Sequence, residues 1–166
     1  MKVPGTSVDY PVAQGAPEDP NFYLNHDIEG LYSAWRTPYV AAGCTDGLES
    51  GLMVVYGHHM SDGTMFADLA SFSDLGYAEE HEDVILYTRE GERDLKVAAV
   101  NVVNANYEQP KYDFADWEEL SEYMDSQVAE SEAVLRDIPE YRQVYAFVTC
   151  SYQTSNLRTI VYAIEE

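Results

Sequence analysis

A mostly β, barrel-like fold carrying a few helices is what this sequence predicts, on three observations. Short apolar runs bounded by turn residues recur along the chain, and one segment alone holds a sustained helical period. No internal repeat or low-complexity linker divides the 166 residues. The chain therefore suits a single domain over 1–166, large enough to bury roughly 70% of its unfolded surface. Many short strands with few helices point to a mostly antiparallel barrel decorated by helices.

The elements follow in order. The opening to about residue 30 is rich in Pro, Gly, Asn and Asp, and reads as one short strand, Tyr10 to Val12, followed by turns. Strand-like composition then marks Trp35 to Ala41, Leu52 to Tyr56, Val84 to Thr88, Asp94 to Val103, Val144 to Thr149 and Thr159 to Ile164. Glu90-Gly91-Glu92-Arg93 fits a hairpin turn between two of these runs. Short helices are expected over Met65 to Ser71 and Asp74 to His81. Phe114, Trp117, Leu120, Met124, Val128, Ser131 and Leu135 recur at three- and four-residue steps, so one face of a long helix is apolar except at Ser131. Asp113 is placed to cap its start, Asp116, Glu118 and Glu119 suit the positive end of its dipole, and Pro139 lies just beyond its end.

Composition narrows the function classes. A formal charge of −21 argues against nucleic acid, whose binding depends on cationic neutralisation of phosphates, and against docking on anionic lipid. An acidic surface keeps the chain soluble, and its field would also draw a cationic substrate. Tyr outnumbers Phe by 14 to 5, and a ring with a hydroxyl suits grooves and sheet edges. No run approaches the ~18 apolar residues of a membrane span, and no signal peptide is visible. Two cysteines, Cys44 and Cys150, make no disulfide framework. Cys44 lies in a turn-like stretch and reads as a spectator or a weakly reactive thiol; the alternative, a Cys44–Cys150 bridge on the outer face of a membrane, would silence the nucleophile.

The chemistry-bearing residues sit at strand ends. Thr149-Cys150 closes one apolar run and Arg158 opens the next, while Leu52-Met53-Val54-Val55-Tyr56 stops at Gly57-His58-His59. A thiol, an imidazole and a guanidinium are the minimum set for thiol-based acyl transfer, because the thiolate is the nucleophile and a neighbouring base or cation must supply it. The histidines could alternatively form a polar loop tip, or a metal site with His26 and His81. No Cys/His spacing resembles a zinc site, so no metal is expected.

Four stretches resemble the sortases, and class B sortases in particular. They are Asp9-Tyr10-Pro11-Val12 with Tyr23-Leu24-Asn25-His26-Asp27; Tyr56 through Leu69, opening on Tyr-Gly-His; His81 through Thr88; and Thr149-Cys150-Ser151-Tyr152 followed by Arg158. The resemblance implies an eight-stranded sortase-type β-barrel with short helices and one long helix before the Cys-bearing strand. It also implies a cysteine transpeptidase without a cofactor. Cys150 would form a thioester with the substrate carbonyl carbon. His58 would steady the thiolate as imidazolium, protonate the leaving amine, and as imidazole accept a proton from the incoming one. Arg158 would hold the substrate backbone or the tetrahedral oxyanion. Thr149 is a candidate for the same hole, and Tyr152, Asn156 and Tyr107 for the walls of the groove. Some class B relatives carry an acid two places after the Cys; Tyr152 stands there in this chain.

The implied partners are a sorting-signal peptide of surface proteins, Asn-Pro-x-Thr-like or Leu-Pro-x-Thr-Gly-like, and an amine of peptidoglycan or of a pilin. The implied location is the extracytoplasmic face of the membrane of a Gram-positive bacterium. Sortases carry an N-terminal membrane anchor, so the chain is expected to be the excised catalytic domain, with Met1 an added start codon. Two alternatives use the same fold: a thiol peptidase in which water takes the thioester, and an inactive sortase-like binding module.

Overall fold

A computed structural model describes residues 1–106, 111–151 and 156–166, without the side chains of Cys150 and Ser151. Seven strands form one sheet: β1 (Tyr39–Val40), β2 (Leu52–Gly57), β3 (Asp83–Tyr87), β4 (Glu92–Asn104), β5 (Ala133–Val134), β6 (Val144–Ser151) and β7 (Leu157–Glu165). Their order is β1-β2-β6-β7-β4-β3, with β5 paired to β4. All pairings are antiparallel except β2 with β6, where Leu52 faces Val144 and Gly57 faces Thr149. The predicted hairpin joins β3 to β4, with Thr88 N–H donating to Gly91 O at 2.8 Å.

The predicted barrel is present in class, with seven strands among the described residues where eight were expected. The N-terminal segment takes the place of the missing one. Lys2 bridges Ile85 of β3 and Ala13 bridges Tyr39 of β1, so residues 2–13 span the two edges of the sheet. Tyr10 to Val12 form no continuous strand. Pro11 has no N–H to contribute to a ladder, which leaves isolated bridges around it. The run expected from Trp35 shrinks to Tyr39–Val40 for related reasons: Arg36 has a left-handed backbone (φ 60°) and Pro38 lacks an N–H.

Alternate residues of the central strands serve two packed faces, so β6 is buried continuously from Val144 to Thr149. The 3₁₀ helix Ala67–Ser73 lies against β4, β6 and β7, with Leu69 and Phe72 fully buried. Next to it, α1 (Leu75–Glu80) is capped by Asp74, whose Oδ1 accepts from Tyr77 N–H at 2.9 Å.

The long helix is shorter than its sequence period suggests. It runs as α2 over Trp117–Ala129 and is capped by Asp116, not Asp113: Asp116 Oδ1 accepts from Glu119 N–H at 2.9 Å. The Glu119 carboxylate in turn accepts from Ala115 N–H, the residue before the cap, at 2.6 Å, which pins the entry of the chain into the helix. At the other end, Ser131 leaves the helix to donate to Asn101 at 2.5 Å, and Asn101 Nδ2 donates to Gln127 O at 3.1 Å. The polar exception on the apolar face thus ties down a buried asparagine, and Ala133–Val134 then pair with β4. Asp116→Ala should cost about 1 kcal/mol of unfolding free energy in urea, the ordinary worth of an N-cap, and Asp113→Ala should cost much less. Equal losses would return the cap to Asp113.

Candidate active site

Sheet register builds this site. Because β2 and β6 are parallel and pair up to Gly57 with Thr149, the next residues of the two strands are His58 and Cys150. On the other side of β6, Cys150 pairs with Arg158 of β7, which also faces Val103 of β4. Three neighbouring strands therefore bring positions 58, 150 and 158 to one end of the sheet.

A cavity of about 400 Å³ lies on one face of these strands. Val54 and Tyr56 of β2, Val148 of β6 and Ile160 of β7 form its floor, and Tyr123 and Gln127 of α2 overhang it. Strand alternation continues the floor series to positions 58, 150 and 158. Tyr56 links the two parts. Its ring lies 5.7 Å from the Arg158 guanidinium, within cation–π reach, and its hydroxyl bonds that of Tyr112 at 2.9 Å.

The two histidines part company here. His58 is half-buried, and its Nε2 meets Nη1 of Arg36. Burial first, and the Arg36 charge second, push its pKa from the ordinary 6.5 down to about 4. A resting imidazolium, expected to steady the thiolate, is disfavoured by both causes at neutral pH; the neutral imidazole suits the base role. His59 bridges Met65 and lines a different cavity, with Asp68, Tyr77 and Thr159. Phe66 N–H donates to His58 O at 2.7 Å, and Met65 takes the left-handed backbone (φ 61°) that turns this loop back on itself.

The remaining predicted residues divide. Thr149 is fully buried, and its Oγ1 has no hydrogen-bond partner among the described residues. It belongs to the strand series opposite the cavity, so a contribution to an oxyanion hole would have to come through backbone N–H. Asn156 is exposed with φ 71°, a conformation asparagine tolerates, and its carbonyl accepts from Ala105 N–H at 2.7 Å. Tyr107 and Tyr152 lie outside the described residues.

Cys44 is removed from the site. It is 1% exposed, its Sγ donates to Leu52 O at 3.4 Å and accepts from Val54 N–H at 3.3 Å, and burial raises its pKa. Those partners lie opposite Val144 and Ala146 in β6, so the Cys150 position is roughly 13 Å further along that strand, at ~3.3 Å per residue. A disulfide needs Cα atoms within about 7 Å.

Arg36 is the residue that sequence reading missed. Nothing near it in the chain marks it; a loop arginine gains meaning only when the loop folds onto His58. Among the described residues, no group of three or more His, Cys, Asp or Glu side chains is placed to hold a metal, and no helix is long and apolar enough to cross a membrane.

A barrel whose parallel inner pair ends at an imidazole and a cysteine, with an arginine on the next strand, holds the residue set of a thiol acyl-transfer enzyme. The sortase domain family model matches residues 1–166, and the chain belongs to the sortase family. Two relatives are sortases B, from Listeria monocytogenes (23% identical, covering 72% of this chain and 48% of the relative) and Staphylococcus aureus (26%, covering 75% and 50%). The X-ray structure of Clostridium perfringens sortase B is similar at 28% identity with a TM-score of 0.90, covering 99% of this chain and 91% of that one. Within the family, the chain groups with class B. It spans about half the length of the curated relatives it matches.

Proposed function

We propose that this chain is the catalytic domain of a sortase transpeptidase that works through a Cys150 thioester. The observation that carries the reading is the strand register that brings His58, Cys150 and Arg158 to one end of the sheet, beside a cavity of about 400 Å³. The thiol sulfur attacks the carbonyl carbon of a Thr in the sorting motif while His58 takes the thiol proton. The C–N bond then breaks, and His58 passes that proton to the leaving amine. An incoming amine reverses the sequence, giving up a proton as its nitrogen displaces sulfur. Arg158 supplies the fixed cation toward which the tetrahedral oxygen develops charge.

The substrate follows from the resemblance to class B: an Asn-Pro-x-Thr-like or Leu-Pro-x-Thr-Gly-like signal of a surface protein, transferred to an amine of peptidoglycan or of a pilin outside a Gram-positive cell. Incubating a peptide library with the protein, with and without added amine, tests this by mass spectrometry. An acyl-enzyme on Cys150 and an amide product that depends on amine are expected. Hydrolysis unaffected by amine would make the protein a thiol peptidase instead, and failure of an electrophilic probe to label Cys150 would leave a binding module.

Arg158 allows shape and charge to be separated. Lys keeps the charge and loses the planar fork. Arg158→Lys and Arg158→Ala should both slow single-turnover acylation, by roughly the 10²–10³ of a lost oxyanion donor, and weaken binding of uncleaved peptide far less. Substantial rescue by Lys would mean that Arg158 acts through charge alone.

A further inference from the structure

Arg36 is an unusual residue at an unusual place. It is the non-glycine residue with φ 60° in the stretch leading to β1, a conformation that disfavours a side-chain-bearing residue. The residues around it hold it there. Thr37 and Pro38 are buried, Ala13 N–H donates to Pro38 O at 2.9 Å, and the Trp35 side chain bonds Asp62 on the far side of the His58 loop. Asp62 is itself fixed by the Thr64 N–H and hydroxyl, at 3.0 and 2.6 Å. The stretch leading to β1 and the loop following β2 are thus laced together beside His58.

The partner of Arg36 is also unusual. In a chain with 30 acidic and nine basic residues, Lys2, Arg93, Lys96, Lys111 and Arg136 pair with carboxylates, and Arg142 meets the Glu165 carbonyl. Arg36 has no carboxylate partner among the described residues and meets the His58 ring instead. A guanidinium can only donate. Its contact with Nε2 therefore requires a lone pair on that nitrogen, which means a neutral ring with its proton on Nδ1. An imidazolium would set donor against donor and cation against cation.

We propose that Arg36 is a positioning residue for His58: its guanidinium keeps the resting imidazole neutral and covers the Nε2 lone pair until the reacting thiol claims it. The inference rests on the reading of His58 as the partner of Cys150. In the reaction, Nε2 exchanges an Arg36 N–H for the thiol proton, which it later gives to the leaving amine; no other reactant is needed. Release is open to Arg36, since it is only half-buried and has no other charged partner among the described residues to hold it. The burial that disfavours the imidazolium and the Arg36 charge act in the same direction.

The test is the titration of His58 in the free protein, followed by ring NMR and assigned by the signal missing in His58→Gln. Arg36→Gly suits the left-handed backbone, and Arg36→Gln keeps bulk without charge, so either one gives the reading should the other fail to fold. In the unaltered protein, His58 should stay neutral down to pH 5. In the variants its midpoint should rise, by less than half of the way back to the ordinary ~6.5 because burial, the larger cause, remains. An unchanged midpoint in the variants, or an ordinary one in the parent protein, would overturn the proposal. So would a change confined to KM with the titration unmoved, which would make Arg36 a substrate contact. The titration needs no substrate, so it stands apart from whether an acyl-enzyme forms.

Discussion

Cys150→Ala should abolish acyl-enzyme formation and cleavage, while Cys44→Ala should retain most of both. The two thiols differ in environment rather than in kind. Cys44 is enclosed between β2 carbonyl and amide groups, and burial holds it protonated, which removes the reactive thiolate. Cys150 stands at the end of β6, opposite Arg158 and next in register to His58. Removing its sulfur leaves the backbone ladder of β6 with β7 intact, so the Ala variant should keep its far-UV spectrum and melting temperature. Labelling by iodoacetamide under native conditions should go to Cys150 alone. A dead Cys44→Ala beside an active Cys150→Ala would reverse the nucleophile assignment.

His58→Ala should slow acylation by roughly the 10²–10⁴ that a positioned base contributes, with His59→Asn close to the parent rate. His59 faces the cavity of Asp68 and Tyr77, away from the Tyr56 and Val148 floor, so its loss leaves the reacting end unchanged. The pH profile carries a second, sharper expectation. The acidic limb of kcat/KM reports the base of the free enzyme. With burial and Arg36 holding the His58 pKa at about 4, activity should survive acidification from pH 7 to 5 and fall only below that. The sign follows from the base role: protonation removes the base, so a lower pKa moves the loss to lower pH. An acidic limb near 6.5, or equal losses at His58 and His59, would contradict the assignment.

The strands β2, β6 and β7 were legible in the sequence to within two residues at each end, because short apolar runs bounded by polar residues are a local signal. The candidate thiol, imidazole and guanidinium were legible too, as residues at the ends of those runs. The apolar stripe of α2 was legible, but its limits were not. Asp113 and Asp116 are equally good caps by type, and the fold uses Asp116; Ser131, which continues the apolar period, lies beyond the helix end and bonds both Asn101 of β4 and Gln127 O.

What tertiary structure decided is everything that depends on which strands become neighbours. No local pattern states that β2 runs parallel to β6 with Gly57 opposite Thr149, yet that pairing alone sets His58 beside Cys150. Closure of the barrel by bridges from Lys2 and Ala13, and the approach of Arg36 to His58, are likewise contacts between segments remote in sequence. Propensity, capping and alternation act over a few residues, so they can be read along the chain. Strand order, cavity and the protonation state of a histidine are set by burial and by charges brought from elsewhere, and these exist only once the chain has folded.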